Sequence, residues 1–236
     1  MNNILDKSLD SQFDKIENLT WFPWVGKGYK CAKRKLLVVG ESHYLNEDSD
    51  ENNEKRRELL IRDKEHTRNC LYEVLINKSW SSKTYSNIME ALCDRGILSD
   101  NKTALSEIAY YNFIQRQMDY SKDTKERPNI DDYKIDWTCF LNIIDILQPT
   151  DCIFVGVESV TLFEEIMDKY GVQYTGIDVL EKLNDAYPKK TSIRLDSKNN
   201  INIIFIKHSS CYFSPGKWHD FLKQQIPEAI EWLNRV

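Results

Sequence analysis

Four short apolar runs divide the chain: residues 36–40 (LLVVG), 108–113 (IAYYNF), 152–156 (CIFVG) and 202–208 (NIIFIKH). Each is rich in β-branched or aromatic side chains and none alternates with polar residues, so they predict strands buried on both faces. Between them the apolar positions recur at helical spacing. Tyr85, Ile88, Met89 and Leu92 keep one face, closed by Gly96. Trp137, Phe140, Leu141 and Ile144 keep another, with Asp136 as the predicted N-cap and a stop before Pro149. Phe163, Ile166, Met167 and Tyr170 form a third face that ends at Gly171. Near the C-terminus Trp218, Phe221, Leu222, Gln225, Ile226, Ala229, Ile230 and Leu233 make a long apolar stripe, which Pro227 should kink or divide.

Alternation of buried strands with covering helices predicts an α/β fold: a three-layer αβα arrangement around a central, mainly parallel four-stranded sheet. In such a sheet, ligands bind beyond the carboxyl ends of the strands. That rule singles out the residues after Val39, near Phe113, after Val155 and after Lys207. Three polar stretches, 46–68, 119–136 and 175–200, interrupt the pattern and read as solvated helix or loop. The first is mixed in sign and suits either a surface helix or a lid over the site.

Composition narrows the picture. With 236 residues, 41% hydrophobic, the chain can build one sizeable core, so a single domain over 1–236 is expected. Residues 1–35 form an aromatic and basic N-terminal extension packed on it. The run Trp21-Phe22-Pro23-Trp24 ahead of Lys33, Arg34 and Lys35 reads first as an aromatic cap on the core, and second as a base-stacking, phosphate-meeting surface. A net charge of −5 leaves no global basic field, so any nucleic acid or nucleotide must be held by local contacts. No apolar run reaches the roughly 20 residues of a membrane helix, and the N-terminus lacks the order of a secretory signal. A cytoplasmic protein with no membrane partner is the expectation. The six cysteines form no Cys-x-x-Cys pair and read as reduced thiols, with no metal and no cofactor expected.

Chemistry concentrates in three places. Gly40-Glu41-Ser42-His43-Tyr44 sets an acid, a hydroxyl, an imidazole and a phenol directly after an apolar strand, on what should be a tight turn presenting successive N–H groups to an anion. His208-Ser209-Ser210-Cys211-Tyr212 repeats the arrangement before the last helix. Alone, His208 reads as a structural histidine; its place on the same sheet edge makes it a candidate acid, base or oxygen donor. Asn112 offers a donor and an acceptor together, the complement of a pyrimidine edge.

Taken in order, GESHY, TYSNIMEAL, YYN, LQPTDCIFVG and HSSCY resemble the uracil-DNA glycosylase superfamily, whose members carry GQDPY or GEAPG, SLxNIxxEL, LLLN, a Pro-strand-Gly element and HPSPLS. The resemblance spans roughly residues 36 to 233. It implies a uracil-DNA-glycosylase-like fold and a DNA-repair chemistry in which a base is flipped into a pocket and its N-glycosidic bond hydrolysed. On that likeness Gly40 is the motif glycine, Tyr44 screens the pocket, Asn112 reads the base edge and His208 stabilises the departing base. Ser210 grips phosphate with Ser209 beside it, Tyr212 takes the place of the wedge, and Trp80 is a stacking platform. The chain also departs from the family. Ser42 stands where the GQDPY branch has its water-orienting Asp, which leaves Glu41 as the substitute. His43 and Ser209 replace prolines, and no cysteine spacing matches an iron–sulfur cluster. Two alternatives follow: a catalytically silent binding module, defence-associated in character, or a hydrolase using Ser42 as nucleophile with His43 or His208 as base. The latter lacks the second glycine of a Gly-x-Ser-x-Gly elbow.

Overall fold

A computed structural model of the chain describes residues 1, 3–46, 50–93, 101–120, 125–195 and 200–235. In chain order its strands are β1 (Trp24–Val25), β2 (Leu36–Gly40), β3 (His43–Asn46), β4 (Ala109–Asn112), β5 (Gln117–Tyr120), β6 (Asp151–Val155), β7 (Gln173–Tyr174), β8 (Asp178–Val179), β9 (Lys189–Arg194) and β10 (Asn200–Ile206). The four apolar runs become β4, β2, β6 and β10, adjacent in that order and all parallel. Their register keeps the carboxyl ends level: Gly40 lies opposite Asn112, and Val155 opposite Ile206.

The sheet is wider than the four strands expected. It has eight, because β1 adds antiparallel to β4 while β9, β7 and β8 extend the far side beyond β10. The stretch 175–200, read from sequence as loop or solvated helix, therefore contains β8 and β9. In β9 (KKTSIR) only Thr191 and Ile193 are buried, and such a half-wet antiparallel strand needs no apolar run to form. A separate pair, β3 with β5, runs parallel beside the site.

Alternate side chains of the central strands feed two cores. Leu36, Val38, Tyr110, Ile153, Ile204 and Ile206 pack against the helices Lys83–Leu92, Pro215–Gln225 and Pro227–Leu233. Leu37, Val39, Tyr111, Phe154, Ile203 and Phe205 pack against Ile130–Leu147 and Phe163–Lys169, where Trp137 contacts Phe113, Phe140, Phe154 and Phe163. Helices thus cover both faces of a mainly parallel sheet. Three of the N-terminal aromatics belong to these cores, Trp24 to the first and Phe22 and Tyr29 to the second, while Trp21 is buried against His43 and His66; Trp24 Nε1 donates to Leu105 O at 2.7 Å. No helix among the described residues is long and apolar enough to cross a membrane.

Several boundaries differ from the sequence expectation. The helix expected to start at Asp136 begins earlier, at Ile130. Asn129 caps it, accepting from the N–H groups of Asp131 and Asp132, while the Asp132 carboxylate accepts from Asn129 N. Asp136 is instead buried within the helix and accepts from Gln115 N at 3.3 Å. The Lys83–Leu92 helix stops at Leu92, and Gly96 lies outside the described residues. Pro227 divides the last stripe into two helices at Ile226. Within it Trp218 and Leu222 are fully buried, whereas Phe221 is only partly so. The polar stretch from 46 carries a surface helix, Asp50–Arg62, with Leu59 and Ile61 exposed.

Candidate functional site

The site begins where β2 and β4 end. Gly40 passes so close to β4 that a Cβ there would overlap Asn112 Oδ1 and the Tyr110 hydroxyl, which explains glycine at a position whose φ is ordinary. Pairing continues past the strand ends, with Phe113 N donating to Gly40 O and Ile114 N to Glu41 O, both at 2.9 Å. The next residues do not form the tight turn expected of them. His43 and Tyr44 run extended into β3, where β5 pairs with them.

A cleft of about 730 Å³ opens at this edge. Among the residues singled out from sequence, Glu41, Ser42, His43, Tyr44, Trp80, Asn112, His208 and Ser210 line it. Gly40 lies immediately behind it. Ser209 is fully buried, its hydroxyl donating to Thr84 O at 2.7 Å and its carbonyl accepting from Asn87 Nδ2 at 2.7 Å, so the Lys83–Leu92 helix anchors the 208–212 loop. Tyr212 is 91% exposed and takes a left-handed φ of 51°, a strained choice for a tyrosine. Lys207 Nζ stands 5.9 Å from its ring.

Glu41 is the electrostatic centre. Its Oε2 lies 3.7 Å from His208 Nε2 and 3.7 Å from Lys125 Nζ, and its Oε1 lies 3.9 Å from Arg127 Nη1. The Tyr44 hydroxyl donates to Oε2 at 3.4 Å. Burial, reinforced by the Glu41 charge, pushes the Tyr44 phenol up to about 12, so it stays a neutral donor. Lys125 also sits 4.0 Å over the Tyr44 ring.

His208 is oriented from behind. Ser210 N donates to its Nδ1 at 3.3 Å, and the Ser210 hydroxyl lies 2.9 Å from the same nitrogen. With Nδ1 accepting, the proton of the neutral ring is assigned to Nε2, which faces Glu41. Burial lowers the imidazole's pKa below its usual value, with Glu41 opposing and Lys125 and Arg127 assisting. At neutral pH His208 is therefore an uncharged N–H donor directed at the cleft.

Asn112 is 2% exposed, and its Nδ2 makes no hydrogen bond of full geometry among the described residues, the Tyr85 phenol being its nearest side-chain acceptor. The Ser42 hydroxyl is also buried, with the Tyr44 phenol as its side-chain neighbour and no hydrogen bond of full geometry. A buried amide donor without a full hydrogen bond costs about 1–3 kcal/mol unless a ligand or water accepts from it. Trp80, 48% exposed, makes an edge contact with Tyr85 at 6.5 Å on the cleft wall.

His43 turns inward. It is 6% exposed, its Nε2 is 2.9 Å from Thr67 Oγ1, and its ring meets Trp21 edge-on at 4.8 Å. Burial, with His66 4.4 Å away ring to ring, holds its pKa well below the usual imidazole value. The sequence reading missed His66, Cys70, Lys125 and Arg127, all of which line the cleft. His66 lies in the first of the polar stretches read as solvated surface and Lys125 and Arg127 in the second, while Cys70 follows just after the first, and only tertiary contact brings them together. Comparison with protein-family models and with curated proteins found no match to this chain.

Proposed function

We propose that the cleft binds a nucleobase, carried on nucleic acid or a nucleotide, and that the protein is a divergent uracil-DNA-glycosylase-like hydrolase of the N-glycosidic bond. The observation that carries this reading is the convergence of Glu41, Asn112 and His208 on one cleft at the carboxyl edge of the parallel sheet, with the Asn112 amide donor making no full hydrogen bond within the protein. Asn112 then bonds the edge of the base. His208 Nε2–H meets the base oxygen on which negative charge grows as the bond breaks. Water adds to the sugar carbon as the carbon–nitrogen bond opens, the bonding pair leaves on the base, and the water's proton passes to that base or to solvent. Glu41 orients the water and offsets the positive charge that develops on the sugar. Lys125 and Arg127 supply the local positive charge that a chain of net charge −5 otherwise lacks. Tyr212, exposed on a strained backbone beside the cleft, is placed to enter the gap left by a flipped base.

A second reading, a binding module without turnover, draws support from Glu41 itself, which already contacts two cations and His208, with Ser42 at the neighbouring position instead of an acid. The serine-nucleophile reading lacks a base: no imidazole hydrogen-bonds Ser42 Oγ among the described residues, and His43 Nε2 is engaged by Thr67. Single-turnover release of free base from uracil-containing, hypoxanthine-containing and normal DNA tests the choice. Release that Glu41→Gln abolishes supports hydrolysis. Binding of the same DNA without release supports the silent module, and labelling of Ser42 by a fluorophosphonate would support the serine enzyme.

A further inference from the structure

On the wall of the same cleft, three side chains approach one another whose donor atoms form a set the base-binding reading does not use. An imidazole nitrogen of His43, one of His66 and the Cys70 Sγ all lie within 4.8 Å of one another. His66 and Cys70 stand four residues apart on the His66–Tyr72 helix, so they share a face, and Cys70 Sγ is 3.8 Å from His66 Nε2. His43 reaches them from β3. Thr67 Oγ1 binds His43 Nε2 at 2.9 Å, which orients the ring and leaves Nδ1 for a further partner. Trp21 packs against both imidazoles, at 4.8 and 5.7 Å between ring centroids, and restrains them from a third side.

We propose that His43, His66 and Cys70 bind a zinc-class divalent cation, with the fourth coordination position open to the cleft. Two imidazoles and one thiolate are donors that suit zinc, as they also suit copper, and three protein ligands with one open position is the arrangement of reactive zinc sites rather than structural ones. In a tetrahedral site with metal–nitrogen bonds of about 2.0–2.1 Å and a metal–sulfur bond of about 2.3 Å, the donors sit roughly 3.3–3.6 Å apart. A 3.8 Å nitrogen–sulfur distance is thus already close to that spacing, and small side-chain rotations close the rest. Thr67 supplies the outer hydrogen bond that fixes a ligating imidazole. All three ligands line the cleft, so the open position faces whatever molecule the cleft holds, whether or not that molecule is a nucleobase.

Cobalt(II) titration of the full chain, stripped of metal, tests this site without reference to any activity. One equivalent should give a near-ultraviolet thiolate-to-cobalt charge-transfer band with the intense visible bands of tetrahedral cobalt, and zinc should displace both. Cys70→Ser should abolish the charge-transfer band, while Cys31→Ser and Cys211→Ser, at exposed thiols, should leave it intact. Should Cys70→Ser not fold, zinc protection of the wild-type protein supplies the same decision: zinc should slow alkylation of Cys70 at least about tenfold and leave Cys31 and Cys211 unaffected. Absence of the charge-transfer band, its survival in Cys70→Ser, or Cys70 reacting equally fast with and without zinc would overturn the assignment. These outcomes are independent of base release, so failure of the metal site and failure of the glycosylase reading are separately visible.

Discussion

His208 Nε2 and Glu41 Oε2 stand 3.7 Å apart, one at the end of the strand that leads to the last helices and the other at the end of the first central strand. Neither residue is anchored by the other alone. Ser210 holds the far nitrogen of His208, while Lys125, Arg127 and Tyr44 surround the Glu41 carboxylate. A gap of this length between a neutral N–H donor and a carboxylate leaves both free to engage a third group, and that gives the two residues separable roles.

Separable roles predict separable phenotypes. Glu41→Gln should lower single-turnover base release by about 100-fold or more while leaving DNA binding nearly unchanged, and Ser42→Ala should change release by far less. The reverse pattern would reject the assignment of Glu41. Because burial holds the folded pKa of His208 below 6.5, its neutral form persists below that pH. The rate should hold from neutral pH downward and fall only on the acid side, below the usual histidine value. A fall that starts above pH 7 on acidification would mean that another group controls the rate.

Asn112 should govern recognition. Asn112→Ala removes an amide whose Nδ2 makes no full hydrogen bond within the protein, and should weaken binding of the preferred base-containing DNA by about 10- to 100-fold, the equivalent of roughly 1–3 kcal/mol. Equilibrium binding by fluorescence anisotropy measures it. Equal loss for DNA that carries no preferred base would assign Asn112 to packing instead.

The parts of the fold legible in the sequence were those with a strong local cause. LLVVG and CIFVG are buried on both faces and carry no alternative pattern, so β2 and β6 were found nearly residue for residue. Pro227 divides a helix for covalent reasons that context cannot override. β8 and β9 were not legible, because KKTSIR has the composition of a solvated segment and becomes a strand only when β10 supplies its hydrogen bonds. Asp136 looked like a cap because an acid precedes an apolar stripe, but the capping box at Asn129 satisfies the helix N-terminus first. In the site, Glu41, Asn112 and His208 were visible from topology. Lys125 and Arg127 were not, since a cation in a polar stretch is read as solvated until the chain returns it to an acid.

Burial separates two neighbouring positions in the last apolar stripe. Leu222 is fully buried and Phe221 only partly, so Leu222→Ala should cost about 2–5 kcal/mol and Phe221→Ala distinctly less than the roughly 3–5 kcal/mol of a fully buried phenylalanine. Urea unfolding of the two variants decides it. A larger loss at Phe221 would contradict the packing described for the Pro215–Gln225 helix.

Asp136 should make the fold lose stability as pH rises from the acid range to about 8. Burial raises its pKa to about 8 in the fold, against about 3.9 in an unfolded chain. Below the lower value both states hold the proton, and the fold has its full stability from this group. Between the two values the unfolded chain releases a proton that the native state retains, so stability declines as pH rises, by up to about 1.4 kcal/mol per pH unit. Above about 8 the native carboxyl ionises as well and the decline from this group ends. Asp136→Asn keeps an oxygen to accept from Gln115 N and removes the ionisation. Urea midpoints measured at about pH 5, 6 and 7.5 should fall for the wild type and stay flatter for the variant, which should be the more stable of the two at the highest pH. Parallel profiles for the two proteins would mean that Asp136 ionises in the fold much as it does in the unfolded chain. The interior between the Ile130–Leu147 helix and β4 would then be more polar, or more open to water, than its 3% exposure implies.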